Sequence, residues 1–125
     1  MQGKRVMIVD DEPSILIAVR VLLEPKGFEV VTVDSGMKCI EVLKEGFKGV
    51  ILMDVMMPRM DGWDTIQKIV DEGLSEGNII VMFTAKEIPG PKMEGLQEYV
   101  MDYITKPFEN EKLVASINEY QSYLI

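Results

Sequence analysis

Five short apolar, β-branched runs, at residues 5–10, 28–33, 50–54, 79–83 and 101–105, alternate along the chain with stretches of helical spacing. Ile15, Val19 and Leu22 recur at i, i+4 and i+7, with Leu16 and Leu23 beside them. Met37, Ile40 and Leu43 recur at three-residue steps, Ile66, Ile69 and Val70 follow a similar stripe, and Leu113, Ile117 and Tyr120 form the last one. The punctuation agrees. Pro13 suits a first helical turn and Lys26-Gly27 ends that helix. Asp34 or Ser35 can cap the second helix, with Gly46 beyond it; Asp61-Gly62 turns the chain before the third, with Gly73 near its end. Strand and helix in strict alternation predict an α/β fold, a doubly wound five-stranded parallel sheet with helices on both faces and right-handed crossovers. A chain of 125 residues without repeat or linker fits one domain, residues 1–125. One unit is weak. Glu87-Ile88-Pro89-Gly90-Pro91-Lys92-Met93-Glu94-Gly95 disfavours a helix interior, so a short fourth helix is expected over roughly residues 91–98, after a stiff loop.

All strands of such a sheet end on one edge, where ligands bind. Val6-Met7-Ile8-Val9 ends in Asp10-Asp11, Val50-Ile51-Leu52-Met53 ends in Asp54, and Tyr103-Ile104-Thr105 ends in Lys106-Pro107. An acidic pair after a strand is often a cap or a solvated turn, and a lone acid or lysine has equally plain readings. Gathered on one edge they need a further explanation, because like charges held close raise each other's pKa and cost stability unless a cation neutralises them. Mg²⁺ suits such a site: it takes oxygen ligands and bridges carboxylates to phosphates. Asp54 is the candidate nucleophile, since a carboxylate can attack phosphorus and form an aspartyl phosphate. Thr84 ends the run Ile79-Ile80-Val81-Met82-Phe83, and its hydroxyl can donate to a phosphoryl oxygen or simply cap a helix. Lys106 can neutralise phosphoryl charge. Its proline neighbour restricts the backbone, but nothing in the sequence argues for a cis bond there.

Composition removes other classes. There is no histidine, which excludes a Ser-His-Asp triad, a histidine metal site and an internal phosphohistidine. The net charge of −8 repels phosphate backbones and speaks against direct nucleic-acid binding. No apolar run approaches the ~20 residues that span a bilayer. Cys39 is the single cysteine and Met1-Gln2-Gly3-Lys4-Arg5 runs straight into a strand without a signal pattern, so a cytoplasmic setting is expected. Ten methionines read as a pliable core, Cys39 as a small buried hydrophobe, Trp63 as packing or a half-exposed anchor, and Glu41, Lys44 and Glu45 as a solvated face.

The ordered set Asp10-Asp11, Asp54 with Met57-Pro58-Arg59-Met60-Asp61-Gly62, Thr84-Ala85, and Tyr103 with Lys106-Pro107-Phe108 resembles the CheY-like receiver domain of two-component response regulators over the whole chain. The resemblance implies a flavodoxin-like sheet in the order 2-1-3-4-5. It implies Asp54 as phosphoacceptor, Asp10 and Asp11 as the acids that hold Mg²⁺ together with Asp54 and the Met56 backbone carbonyl, Thr84 and Lys106 as the phosphoryl-sensing pair, and Thr84 with Tyr103 as the switch. Read alone, Tyr103 is an ordinary strand aromatic. The implied partners are a histidine kinase or histidine phosphotransfer protein, a downstream protein target, and a second copy through the face of fourth helix, fifth strand and fifth helix. The chain departs from the family where a Gly-Ala pair usually precedes the fifth strand: Tyr99-Val100 stand there. Two other readings keep the fold. One is an aspartate-nucleophile phosphohydrolase, which would need an acid two residues beyond Asp54, where Met56 stands, and a substrate cap. The other is a degenerate receiver used as a protein-binding scaffold, against which the intact acids, Thr84 and Lys106 argue.

Overall fold

The computed structural model describes residues 4–85 and 95–124. Its strands are β1 (Lys4–Val9), β2 (Phe28–Val33), β3 (Val50–Met53), β4 (Ile79–Thr84) and β5 (Val100–Thr105). The helices among the described residues are α1 (Pro13–Leu23), α2 (Gly36–Lys44), α3 (Gly62–Asp71) and α4 (Asn110–Ser122). All pairings are parallel and the sheet order is β2-β1-β3-β4-β5. The doubly wound α/β fold read from the alternation is therefore the fold of the chain.

Alternate side chains of each strand feed two cores. Met7, Val9, Ile51, Met53, Ile80 and Met82 meet Cys39, Ile40, Leu43, Trp63, Ile66 and Ile69 of α2 and α3. Val6, Ile8, Val50, Leu52, Val81 and Phe83 meet Val19 and Leu23 of α1 and Leu113, Ile117 and Tyr120 of α4. The central strands β1, β3 and β4 are buried on both faces, which is why they read as unbroken apolar runs. Trp63 is packing, buried beside Ile66. Burial pushes the Cys39 thiol up to about 12, so it behaves as a small hydrophobe.

Local chemistry sets the helix ends. Pro13 opens α1. Ser35, not Asp34, caps α2, accepting from the Lys38 N–H at 3.2 Å. Asp61 caps α3 in a reciprocal box, accepting from the Asp64 N–H at 2.8 Å while the Asp64 carboxylate accepts from the Asp61 N–H at 3.2 Å. α2 and α3 pack closely at Gly36. A Cβ there would collide with Thr65 Oγ1, which is buried and donates to the Asp61 carbonyl at 2.8 Å. Gly36→Ala should therefore cost about 1–3 kcal/mol in urea unfolding, the range for overpacking a filled site. Most of that cost should disappear when Thr65→Ala is added, since the two positions share one space. A full additive cost in the double variant would place the strain elsewhere.

The fourth helix expected over 91–98 is only partly within view, because residues 91–94 lie outside the described ones. Residues 95–98 are not α-helical. Gly95 takes a left-handed φ of 83°, and Gln97–Tyr99 form a single 3-10 turn that leads into β5 at Val100. β5 is an edge strand, opposite β2. It carries one extra residue: Ile80 pairs with Val100 but Val81 pairs with Asp102, so Met101 is bulged out. On this edge Met101 is 50% exposed and Tyr103 41%. No helix of the described residues is long and apolar enough to cross a membrane.

Candidate functional site

The parallel ladder continues past the strand ends and places the chemistry there. The Asp10 N–H donates to Val33 O at 3.1 Å, the Asp54 N–H to Val9 O at 2.9 Å, and the Lys106 N–H to Thr84 O at 2.8 Å. Asp10, Asp54, Thr84 and Lys106 are thus fixed by backbone bonds to neighbouring strands rather than by flexible loops. One oxygen from each of Asp10, Asp11 and Asp54 lies within 4.8 Å of the others. Asp10 is fully buried, Asp54 is 4% exposed, Thr84 is 3% exposed, and Asp11 faces solvent.

Between β3 and α3 the chain folds back over this edge. The Gly62 N–H donates to Val55 O at 2.9 Å. A Cβ on Gly62 would strike the Asp54 carbonyl, so only glycine lets the loop lie this close to Asp54. Arg59 in the same loop takes a φ of 68°, a left-handed conformation that non-glycine residues rarely adopt.

Lys106 is the resting counter-charge. Its Nζ lies 2.7 Å from Asp10 Oδ2 and 3.4 Å from Asp54 Oδ1. The other Asp10 oxygen accepts from the Glu12 N–H at 3.0 Å. The sequence points Lys106 at a phosphoryl group; at rest it sits closer to Asp10, the more deeply buried acid and the one that most needs a partner. Burial pulls the Lys106 ammonium down, but the hydrogen bond to Asp10 and the charges of Asp54 and Asp10 outweigh it, and its pKa is raised. Asp54 moves the other way from an ordinary ion-paired carboxylate. Burial, then repulsion from Asp10, push it up to about 6, against the pull of Lys106 and of the Met56 N–H, which donates to its carboxylate. Two buried acids share one amine, and Asp54 carries the imbalance.

Three features of the site were not legible beforehand. The Lys106–Pro107 peptide bond is cis. The Glu12 N–H holds Asp10 through backbone geometry that leaves no residue-type signal. Phe83 lies beneath Lys106, with Nζ 5.4 Å from the ring centroid, and Phe108 packs on Phe83 with centroids 5.5 Å apart and planes tilted by 45°. Phe83 precedes Thr84 and Phe108 follows Pro107, but only the β4–β5 register brings the two rings together. Tyr103, on β5, has an exposed side chain, and its N–H donates to Asp102 Oδ1 at 2.8 Å.

Three acids beside a lysine can hold a hard cation, since every donor is a carboxylate oxygen, and can present one carboxylate, Asp54, to an electrophile. Known proteins share this fold. The family model described as response regulator receiver domain matches residues 6–118. A CheY-like response regulator receiver domain protein from Methanospirillum hungatei is 53% identical, with a TM-score of 0.92, over 97% of this chain and 96% of that one. The receiver domain of the sensor histidine kinase PA1611 from Pseudomonas aeruginosa, solved with a magnesium ion coordinated in its active-site cleft, is 25% identical with a TM-score of 0.81, over 97% of this chain and 99% of that one. Among curated relatives, the transcriptional regulatory protein DltR of Streptococcus agalactiae is 35% identical over 90% of this chain, which spans 50% of DltR's length. Five parallel strands in the order 2-1-3-4-5, the acidic strand ends and the match over residues 6–118 lead to one conclusion: the chain belongs to the response regulator receiver domain family.

Proposed function

We propose that this receiver accepts a phosphoryl group on Asp54 and switches a protein-binding face in response. The observation that carries the reading is the convergence of Asp10, Asp11 and Asp54 within 4.8 Å, with Lys106 bridging Asp10 and Asp54. An Asp54 oxygen attacks the donor phosphorus, an O–P bond forms, and the bond from phosphorus to the donor's leaving group breaks. The chain has no histidine, so the donor is supplied in trans by a histidine kinase or a histidine phosphotransfer protein. Asp10, Asp11, Asp54 and the Met56 carbonyl would hold Mg²⁺; when bound, the ion neutralises charge on the acids and on the transferred group. The all-oxygen donor set fits that ion, and the PA1611 receiver coordinates a magnesium ion in its own active-site cleft. Thr84 and Lys106 bind the phosphoryl oxygens, and Tyr103 follows Thr84 from its half-exposed position on β5. The face of β5 and α4 is the output surface, open to a downstream protein or to a second copy. At the position two residues beyond Asp54, Met56 offers an exposed thioether and no acid, which disfavours turnover of external phosphate esters.

Mg²⁺ should raise the unfolding free energy of the wild type, because it binds a cluster that exists only in the folded state. Asp11→Asn should weaken that response by about tenfold or more, since it removes a charged ligand whose loss costs ~1.4 kcal/mol or more. Thermal unfolding across a Mg²⁺ titration measures both. Equal titrations for the two proteins would remove Asp11 from the metal site.

A further inference from the structure

We infer that Phe83 and Phe108 form an aromatic platform that positions the Lys106 amine for phosphoryl transfer. The inference rests on Asp54 being the phosphoacceptor and adds residues that no carboxylate or hydroxyl chemistry would single out. Lys106 has a demanding task. At rest its ammonium is bound to Asp10 at 2.7 Å. For Asp10 to serve as a cation ligand, the ammonium must leave it and turn to the Asp54 side, where it already lies 3.4 Å from Oδ1. A lysine stem has four rotatable carbons and would lose its aim during that change of partner.

Phe83 supplies a fixed point. Its side chain is fully buried, between Met82 and Thr84 in sequence. The strand alternation aims Phe83 at the α1–α4 side, while Thr84 ends the same strand at the acidic edge. The ring face attracts the ammonium through its quadrupole, from 5.4 Å below, without competing for any carboxylate. Such a contact can persist while the hydrogen-bond partner changes. Phe108 holds Phe83 in turn, tilted against it at 5.5 Å, within the centroid separation of interacting aromatic pairs. The bulge at Met101 is what makes this meeting possible. It advances β5 by one residue, so that Phe83 pairs with Ile104 and Thr84 with Thr105, and Lys106 emerges beside the ring. Phe108 is half-buried and also forms one wall of a cavity of about 400 Å³ between β5 and α4, with Pro107, Ile104 and Leu113. The outer ring of the platform thus faces the region in which a partner would bind.

Phe83 and Phe108 touch no reacting atom, so they are positioning residues, and the test separates positioning from packing. Two readouts are followed in the whole chain. One is the chemical shift of the Lys106 ε-methylene protons in the resting protein, which a ring face moves upfield. The other is phosphorylation by acetyl phosphate with Mg²⁺, resolved into maximal rate and half-saturating donor concentration. In Phe83→Leu the upfield shift should vanish and the maximal rate should fall roughly 3- to 10-fold, the equivalent of a partly desolvated cation–π contact, with half-saturation unchanged. Phe108→Tyr keeps a ring, and its hydroxyl can reach water, so it should keep the wild-type shift and rate. Phe108→Leu should lower the rate about 2-fold or more by loosening Phe83. If Phe83→Leu fails to fold, the two Phe108 variants still decide the matter. An unchanged Lys106 shift in Phe83→Leu, or equal rates for Phe108→Tyr and Phe108→Leu, would overturn the platform. Absence of phosphorylation in the wild type would instead overturn the phosphoacceptor reading, which the Lys106 shift does not depend on.

Discussion

Lys106→Met will destabilise the protein at pH 7 in the presence of a chelator, by roughly 3 kcal/mol in urea unfolding. The side chain is 14% exposed and its amine is the one cation, among the described residues, that reaches both Asp10 and Asp54. Removing it leaves two buried carboxylates facing each other across a low-dielectric site. Methionine keeps much of the lysine stem's packing, so the loss reports charge rather than a cavity. The pH dependence has a definite sign. Without the amine, the Asp54 carboxyl gains affinity for protons in the folded state. The folded protein then binds more protons than the unfolded one, and stability falls as pH rises through the carboxylate range. The deficit should shrink below pH ~4, where the carboxyls are protonated in both states. Under the proposed function, excess Mg²⁺ should restore most of the loss, because the ion supplies the missing positive charge. A variant as stable as the wild type in chelator would mean that the acids are not electrostatically confined.

Asp54→Asn should do the opposite. The wild-type site holds two buried acids and one amine, and Asp54 has its pKa pushed up to about 6 from an ordinary 3.8. A raised folded-state pKa means that the protonated form is favoured in the fold. That contribution is fully present below pH ~4 and is lost as pH rises through about 6. Near pH 7 the ionised Asp54 therefore costs stability, by roughly 1–3 kcal/mol for a shift of this size. Asparagine removes the charge and leaves Lys106 paired one-to-one with Asp10. Stability in chelator should rise by that amount at pH 7 and by little at pH 4. A loss of stability at pH 7 would show that the Lys106–Asp54 attraction outweighs burial and the repulsion from Asp10.

The central strands were legible because burial on both faces leaves unbroken apolar runs, and Asp10 and Asp54 were legible because each closes such a run. Residues at strand ends of a parallel sheet must share an edge, so the cluster followed from topology. What could not be read depends on lateral register. The bulge at Met101 decides what stands beside Lys106, and nothing in Val100-Met101-Asp102-Tyr103 marks it. Hence the Phe83–Phe108 pair was missed. The Asp61–Asp64 capping box was read only as a turn, because aspartate stands at the third helical position where glutamate or glutamine is the usual signature. The helix expected over 91–98 followed from the alternation of strand and helix, in a segment whose prolines and glycines disfavour one. The positive φ of Gly95 and the 3-10 turn that follows it leave no α-helix in the described part of that segment.

Under the proposed function Asp54, and no hydroxyl of this chain, takes the phosphoryl group. Treatment with acetyl phosphate and Mg²⁺, followed by borohydride, tests it directly, since borohydride reduces an aspartyl phosphate to homoserine and leaves phosphoserine and phosphothreonine intact. Peptide mass spectrometry should find homoserine at residue 54 of the wild type and none after omission of Mg²⁺ or in Asp54→Asn. Homoserine at Asp10 or Asp11, or a phosphoryl group that Asp54→Asn accepts as well as the wild type does, would contradict the assignment.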